Sequence, residues 1–175
     1  FLFPIFYLPF LKSHNVVAAV HVDHFAGDTG GEVGGKEKRC VAGSPLAVID
    51  VGAHSIRMEI AQVGEAGGFS TLETLSVPVP IGRDVFTKGK ISSENFVLAV
   101  KILKDFSTKI KEYGVSCFRA VATSAVREAA NKDIFLDRVK QECGIELEVL
   151  DSSEEIRIMY LSLKNALGER LKTVN

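Results

Sequence analysis

Cysteine is sparse in this chain and follows no pairing pattern. Cys40, Cys117 and Cys143 are widely spaced with no CxxC among them, which argues against a disulfide framework or a zinc site and fits a reducing cytoplasm. An excess of charge is also missing. A formal net charge of −1 excludes a nucleic-acid binder that works by neutralising many phosphates, so no nucleic-acid partner is expected. A membrane-length apolar run is lacking too. The opening FLFPIFYLPFL has the length of a signal-peptide core, but it carries two prolines and is too short to span a bilayer. No initiating Met and no basic segment precede it, so it reads either as a targeting segment or as a mis-started chain end. No stable membrane association is expected.

What the chain does have is enough apolar content, over 175 residues, to bury one good core. Residues 1–45 stand apart as a disordered tail and linker, because AGDTGGEVGGKEKRCVAGSP is too rich in Gly and charge to bury apolar surface. His21, Asp23 and His24 precede that linker and are set aside as an incidental cluster rather than a metal site. The expected domain is residues 46–168, and 169–175 read as the start of a connection to a second half.

Within the domain, LAVID, IRMEIAQV and STLETLSVPVPI alternate with turn signals and predict a three-strand meander. Ser92 or Ser93 then caps a long helix whose inner face carries Phe96, Val100, Leu103, Phe106, Ile110 and Tyr113, and Gly114 ends it. The strand CFRAVAT follows, then a short helix bearing Arg127. A helix over KDIFLDRVKQEC is capped by Asn131 and stopped by Gly144, and IELEVLD forms a half-exposed strand. A last helix opens at Ser152 and buries Ile156, Met159, Tyr160, Leu163 and Leu167. The order β-β-β-α-β-α-β-α predicts an α/β fold with a mixed sheet, parallel in its second half.

In such sheets ligands gather beyond the carboxyl ends of the parallel strands, and three loops leave ends of that kind: DVGAHS, ATSAVRE and DSSEEIR. With Ser124 as N-cap, Arg127 falls third in its helix, where the dipole disfavours a cation. Thr123, Ser124, the guanidinium and free N–H groups then suit a phosphate, although an ordinary capped helix fits equally well. Asp50 ends a buried strand and can hold Mg²⁺, or can simply close an Asx turn. Gly52 lets the backbone approach an anion, and Ser55 adds a hydroxyl. Arg57 either pairs with an acidic neighbour such as Glu59 or reaches into the cleft as a second anion contact. Ser152 and Glu155 match a capping box; the alternative is that Glu155 activates a water as general base.

Together, IDVGAHSIR, IGRDVFTKGKIS and FRAVATSAVREAANKDIFLDRVKQECGIELEVLDSSEEIRIMY resemble the amino-terminal half of the Ppx/GppA family of exopolyphosphatases and guanosine pentaphosphate phosphohydrolases. The resemblance implies the ribonuclease H-like superfold of actin and sugar kinases. It also implies Mg²⁺-assisted hydrolysis of a terminal phosphate from polyphosphate or a guanosine nucleotide. The family's catalytic Glu falls on Glu155, its phosphate-binding residues on Thr123, Ser124 and Arg127, and its first-loop Asp, Gly and Arg on Asp50, Gly52 and Arg57. A homodimer is expected of the complete protein.

Two departures from the family pattern stand out. Ala53 and His54 replace the usual Ser and Asn, which removes a hydroxyl and an amide, and His54 is either a neutral turn residue or a pH-dependent anion contact. No second Gly-rich phosphate loop precedes Asn175, so the chain is expected to be a fragment with little catalysis of its own. A non-catalytic phosphate or nucleotide sensor remains the alternative to the hydrolase, with a kinase of the same superfold third.

Overall fold

The computed structural model describes residues 43–63, 69–115 and 117–161. Four expectations therefore lie outside the described residues: the tail and linker before residue 43, the turn at 64–68, the buried Leu163 and Leu167, and the connection at 169–175.

The central strand β1 (Pro45–Val51) is apolar at nearly every position because both its faces are covered. Ala47, Ile49 and Val51 enter one hydrophobic cluster and Leu46 and Val48 another, as the two-residue period of a strand requires. Strands β2 (Ser55–Val63) and β3 (Phe69–Pro78) extend the sheet as an antiparallel meander, with a register shift between Ile60 and Ala61. On its other side β1 pairs in parallel with β4 (Cys117–Ala122), and β4 in parallel with β5 (Leu147–Val149). The sheet order β3-β2-β1-β4-β5 is thus mixed, with the parallel part where it was expected.

Helices before β5 pack on one face of this sheet. Helix α1 (Ile81–Lys88) was not foreseen: its N-cap is Pro80, which supplies no side-chain cap, so IGRDVFTK lacks the usual start signal. The long helix α2 (Ser93–Glu112) is capped by Ser92, whose side chain accepts from Asn95 N at 3.3 Å. Of its expected inner face, Val100, Leu103, Phe106 and Ile110 are buried and Phe96 is partly so, while Tyr113 stays exposed. Helix α3 (Ser124–Arg127) is one turn long, and α4 (Lys132–Cys143) ends at Gly144, whose φ of 66° is the left-handed conformation that glycine adopts without strain. Phe135 of α4 is fully buried, and its ring meets Phe96 of α2 edge-on at 5.2 Å, locking the two helices together.

Polar groups join the helices. Buried Asp84 accepts hydrogen bonds from Ser92 N, Ser92 Oγ and Asn95 Nδ2, and these hold its carboxyl below the ordinary range. Asn131 does not cap α4 with its side chain, as was expected. Its amide instead clasps Ile91, accepting from the backbone N at 2.9 Å and donating to the backbone O at 3.0 Å.

The final helix, α5 (residues 152–161), differs most from expectation. Ile156, Met159 and Tyr160 are exposed, whereas Ile158 is buried with Leu46, Val48, Val121 and Leu150 against the sheet's other face. The sequence showed an apolar stripe, but the side facing the sheet is a different one. Cys117 is disulfide-bonded and Cys143 is a free buried thiol, so the expectation that none of the three cysteines forms a bridge is corrected.

Candidate active site

The parallel order of β1, β4 and β5 puts their carboxyl ends side by side, and main-chain hydrogen bonds join those ends beyond the strands. Thr123 N donates to Val51 O at 3.3 Å, and Leu150 N donates to Ala122 O at 2.9 Å. The loops after β1, β4 and β5 therefore leave from one edge.

In the first loop, Gly52 N donates to Ser55 O at 3.0 Å. A Cβ on Gly52 would lie 3.3 Å from that carbonyl and 3.9 Å from Asp50 Oδ2, so glycine leaves open the space beside the carboxylate. Asp50 and Arg57 are direct cross-strand partners and share a face. Arg57 is exposed, and its Nε donates to Ser55 Oγ at 3.2 Å. Arg57 thus lies across from Asp50 and not beside the anticipated Glu59. Glu59 is buried and accepts from Thr71 Oγ1 at 2.7 Å.

The second loop corrects one detail of the sequence reading. The N-cap of α3 is Thr123 and not Ser124, so Arg127 is the fourth and last residue of this one-turn helix and not the third. Both candidates carry a hydroxyl, and the extended backbone of Thr123 decides between them. Neither hydroxyl hydrogen-bonds to another described residue, which leaves both available to a ligand. The guanidinium of Arg127 crosses to the third loop, where Nη1 donates to Leu150 O at 2.7 Å and to Glu155 Oε2 at 3.1 Å.

The third loop carries a second cap correction. The capping residue is Asp151, whose Oδ1 accepts from Ser153 N at 2.8 Å and Glu154 N at 2.9 Å. The capping box of Ser152 and Glu155 does not form. Its dissolution frees Glu155, whose carboxylate turns to Arg127 while Glu154 turns to Arg157 at 3.5 Å.

Electrostatics joins the first and third loops. Removal from water pushes the Asp50 carboxyl up to about 6; the Arg57 charge opposes that rise and the Glu155 charge adds to it. Two carboxylates and two guanidiniums thus share one partly dry edge. Asp50 and Glu155 are carboxylates of the kind that Mg²⁺ takes one or two of, completing its shell with phosphate oxygens and water. Among the described residues no group of three or more His, Cys, Asp or Glu side chains could hold a metal by protein ligands alone. No helix among them is long and apolar enough to cross a membrane. Sequence reasoning missed the Leu150 carbonyl, the Asp151 cap and Gly82, whose N donates to Ala53 O at 2.7 Å and so supports the first loop from α1.

A five-stranded mixed sheet with helices on both faces and charged loops at its parallel ends is an α/β arrangement of the actin-like kind. Comparison with known proteins agrees. The Ppx/GppA phosphatase family profile matches residues 59–174, and the chain belongs to that family. It is 28% identical over 123 residues to exopolyphosphatase 1 of Mycobacterium leprae, covering 70% of this chain and 36% of that protein. It is 30% identical over 126 residues to the guanosine-5'-triphosphate,3'-diphosphate pyrophosphatase of Photobacterium profundum, covering 71% of this chain and 25% of that protein. Among solved structures, the Aquifex aeolicus Ppx/GppA family member superposes with a TM-score of 0.61 at 33% identity, over 64% of this chain and 36% of that one. An exopolyphosphatase from Cytophaga hutchinsonii gives 0.60 at 33% identity, over 63% and 35%. The chain therefore spans about a third of the length of most of these relatives, and a quarter of the Photobacterium protein.

Proposed function

We propose that this domain supplies one wall of a phosphoanhydride hydrolase site acting on the terminal phosphate of polyphosphate or a guanosine nucleotide. The observation that carries the reading is the meeting of Asp50, Arg57, Arg127 and Glu155 at one strand edge, with Glu155 turned inward by its 3.1 Å contact to Arg127. Names of the relatives support the substrate class: one is an exopolyphosphatase, another a pyrophosphatase for a guanosine polyphosphate.

In this reading Glu155 accepts a proton from a water whose oxygen forms a bond to the terminal phosphorus, while the bridging P–O bond breaks and the shortened phosphate chain leaves. Arg57, Arg127, the Thr123 and Ser124 hydroxyls, Ser55 and the open space beside Gly52 bind and orient the phosphates. Asp50 would hold Mg²⁺, which when bound neutralises charge on the phosphate oxygens. A dimeric complete protein belongs to the same proposal, whereas the cytoplasmic setting expected from unpaired cysteines loses that support with the bridge at Cys117.

The test is phosphate release from tripolyphosphate with Mg²⁺ by the full-length protein. Glu155→Gln should lower kcat by ~10² to 10⁴ with KM held or reduced, because an amide cannot take the proton. Glu154→Gln, one residue away and paired with Arg157, should leave turnover within about twofold of the parent. Equal, mild effects of the two substitutions would remove Glu155 as the base.

A further inference from the structure

Both contacts of Arg127 use a single nitrogen. Nη1 donates to the Leu150 carbonyl at 2.7 Å and to Glu155 Oε2 at 3.1 Å. Its Nε and Nη2 donate to no described residue, and the side chain keeps 25% of its surface exposed. That unused edge is the one on which a guanidinium presents two parallel N–H groups to paired oxygens. Arg119 shows the geometry within the same sheet: its Nε and Nη2 grip the two oxygens of Glu148 at 2.9 Å each.

We propose that Arg127 is a bridge, holding Glu155 through Nη1 while its Nε/Nη2 edge takes two oxygens of the terminal phosphoryl group. The proposal rests on the reading of this edge as a phosphate site and adds a positioning role to Arg127. One planar, rigid group would then fix the distance between the base and the phosphorus. The competing arrangement is exchange, in which an arriving phosphate displaces Glu155 from Arg127. Leu150 opposes exchange. Its carbonyl belongs to a main chain tied to β4 through Leu150 N and Ala122 O at 2.9 Å, so Nη1 stays anchored beside Glu155 whatever reaches the other edge. A lysine could not bridge, since its one ammonium lacks the planar fork.

Calorimetric titration of this chain with tripolyphosphate and Mg²⁺ separates the alternatives, with circular dichroism confirming that each variant is folded. For a bridge, Glu155→Gln changes the Kd by less than about threefold, because no donor on the phosphate-binding edge is released. Arg127→Lys weakens binding about tenfold or more despite keeping the charge, because the paired contact is lost. Tightening of about tenfold or more in Glu155→Gln would show that the carboxylate and the phosphate compete, and would overturn the bridge while leaving the phosphate site standing. Undiminished binding by Arg127→Lys would also overturn it. Absence of tripolyphosphate binding by the parent chain would overturn the phosphate site itself and the bridge with it.

Discussion

The two faces of the sheet are built on opposite terms. On the face covered by α1, α2 and α4, the strands present Ala47, Ile49, Val51, Ile56, Met58 and Ile60 to apolar helix faces, and the polar groups there, buried Asp84 and half-buried Asn131, are hydrogen-bonded. On the other face the same strands present Asp50, Arg57, Glu59 and Arg119, with a smaller apolar cluster around Leu46, Val48 and Val121. Each β1 and β2 residue serves one face or the other because strand side chains alternate. Stability can therefore be concentrated on one side, leaving charged groups near the strand ends under less perfect compensation. Asp50 shows that cost, since its carboxyl is pushed up to about 6 by burial. The difference teaches that a charged edge can be partly unstable in itself, provided that the opposite face holds the sheet.

The largest effect should therefore come from the helix-covered face and leave the ligand chemistry alone. Phe135→Ala removes a fully buried ring that meets Phe96 edge-on. It should cost about 3–5 kcal/mol in chemical denaturation. At a temperature where the variant is still folded, its affinity for tripolyphosphate should match the parent within about twofold. A loss of affinity without a loss of stability would break the division between the faces.

That division also explains what the sequence could reveal. Strand alternation at Leu46–Val51 and IRMEIAQV, and the helix period of Val100, Leu103 and Ile110, are local patterns imposed by burial, so the sheet and α2 were legible. The parallel edge followed from element order alone. Helix α1 was not legible because Pro80 offers no cap and the segment sits among glycines. The caps at Thr123 and Asp151 were each missed by one residue. In both places neighbouring side chains have cap chemistry, and only backbone dihedrals or hydrogen bonds choose between them. The face of α5 was misplaced because its contact with the sheet is made through Ile158, a tertiary choice that an apolar stripe alone does not determine. The Arg127 contact to Glu155 spans 28 residues of sequence. Both residues were picked out as site candidates, but their pairing depends on the parallel placement of β4 and β5.

A smaller effect, opposite in sign, is expected on the charged side. The Asp50 carboxyl rises from 3.8 to about 6 on folding, so between those values the folded state binds more protons than the unfolded chain. Stability from this group therefore falls as pH rises through that window and stays low above it. Asn mimics the neutral acid. Asp50→Asn should raise stability by up to about 3 kcal/mol at pH 8, and the gain should shrink steadily as pH falls toward 4. Denaturation midpoints of parent and variant across that range check the prediction, and a gap independent of pH would contradict it. Mg²⁺ should narrow the gap at pH 8 if Asp50 holds the ion, because only the ionised parent gains a ligand.

The smallest effect should arise where the two regions meet, at Gly82. A Cβ built on this residue would lie 2.7 Å from Ala53 Cβ, 3.1 Å from Ala53 O and 3.1 Å from Phe86 Cε2. The Phe86 ring is exposed and can move, but Ala53 belongs to the loop after β1, which hydrogen bonds from Gly82 N and Val79 N hold in place. Gly82→Ala must therefore displace either the start of α1 or the loop that carries Asp50 and Gly52. Overpacking of this kind costs about 1–3 kcal/mol, and the better helix propensity of alanine returns part of it, leaving a net loss of about 1–2 kcal/mol. A movement of the loop would add a second consequence, a several-fold weaker affinity for tripolyphosphate with Mg²⁺. Gly82→Ala should thus be the substitution on the helix-covered side that reaches the charged edge, in contrast to Phe135→Ala. Titration and denaturation of the two variants side by side decide the matter: unchanged affinity in Gly82→Ala would place the strain in α1 and leave the first loop independent of the helix that supports it.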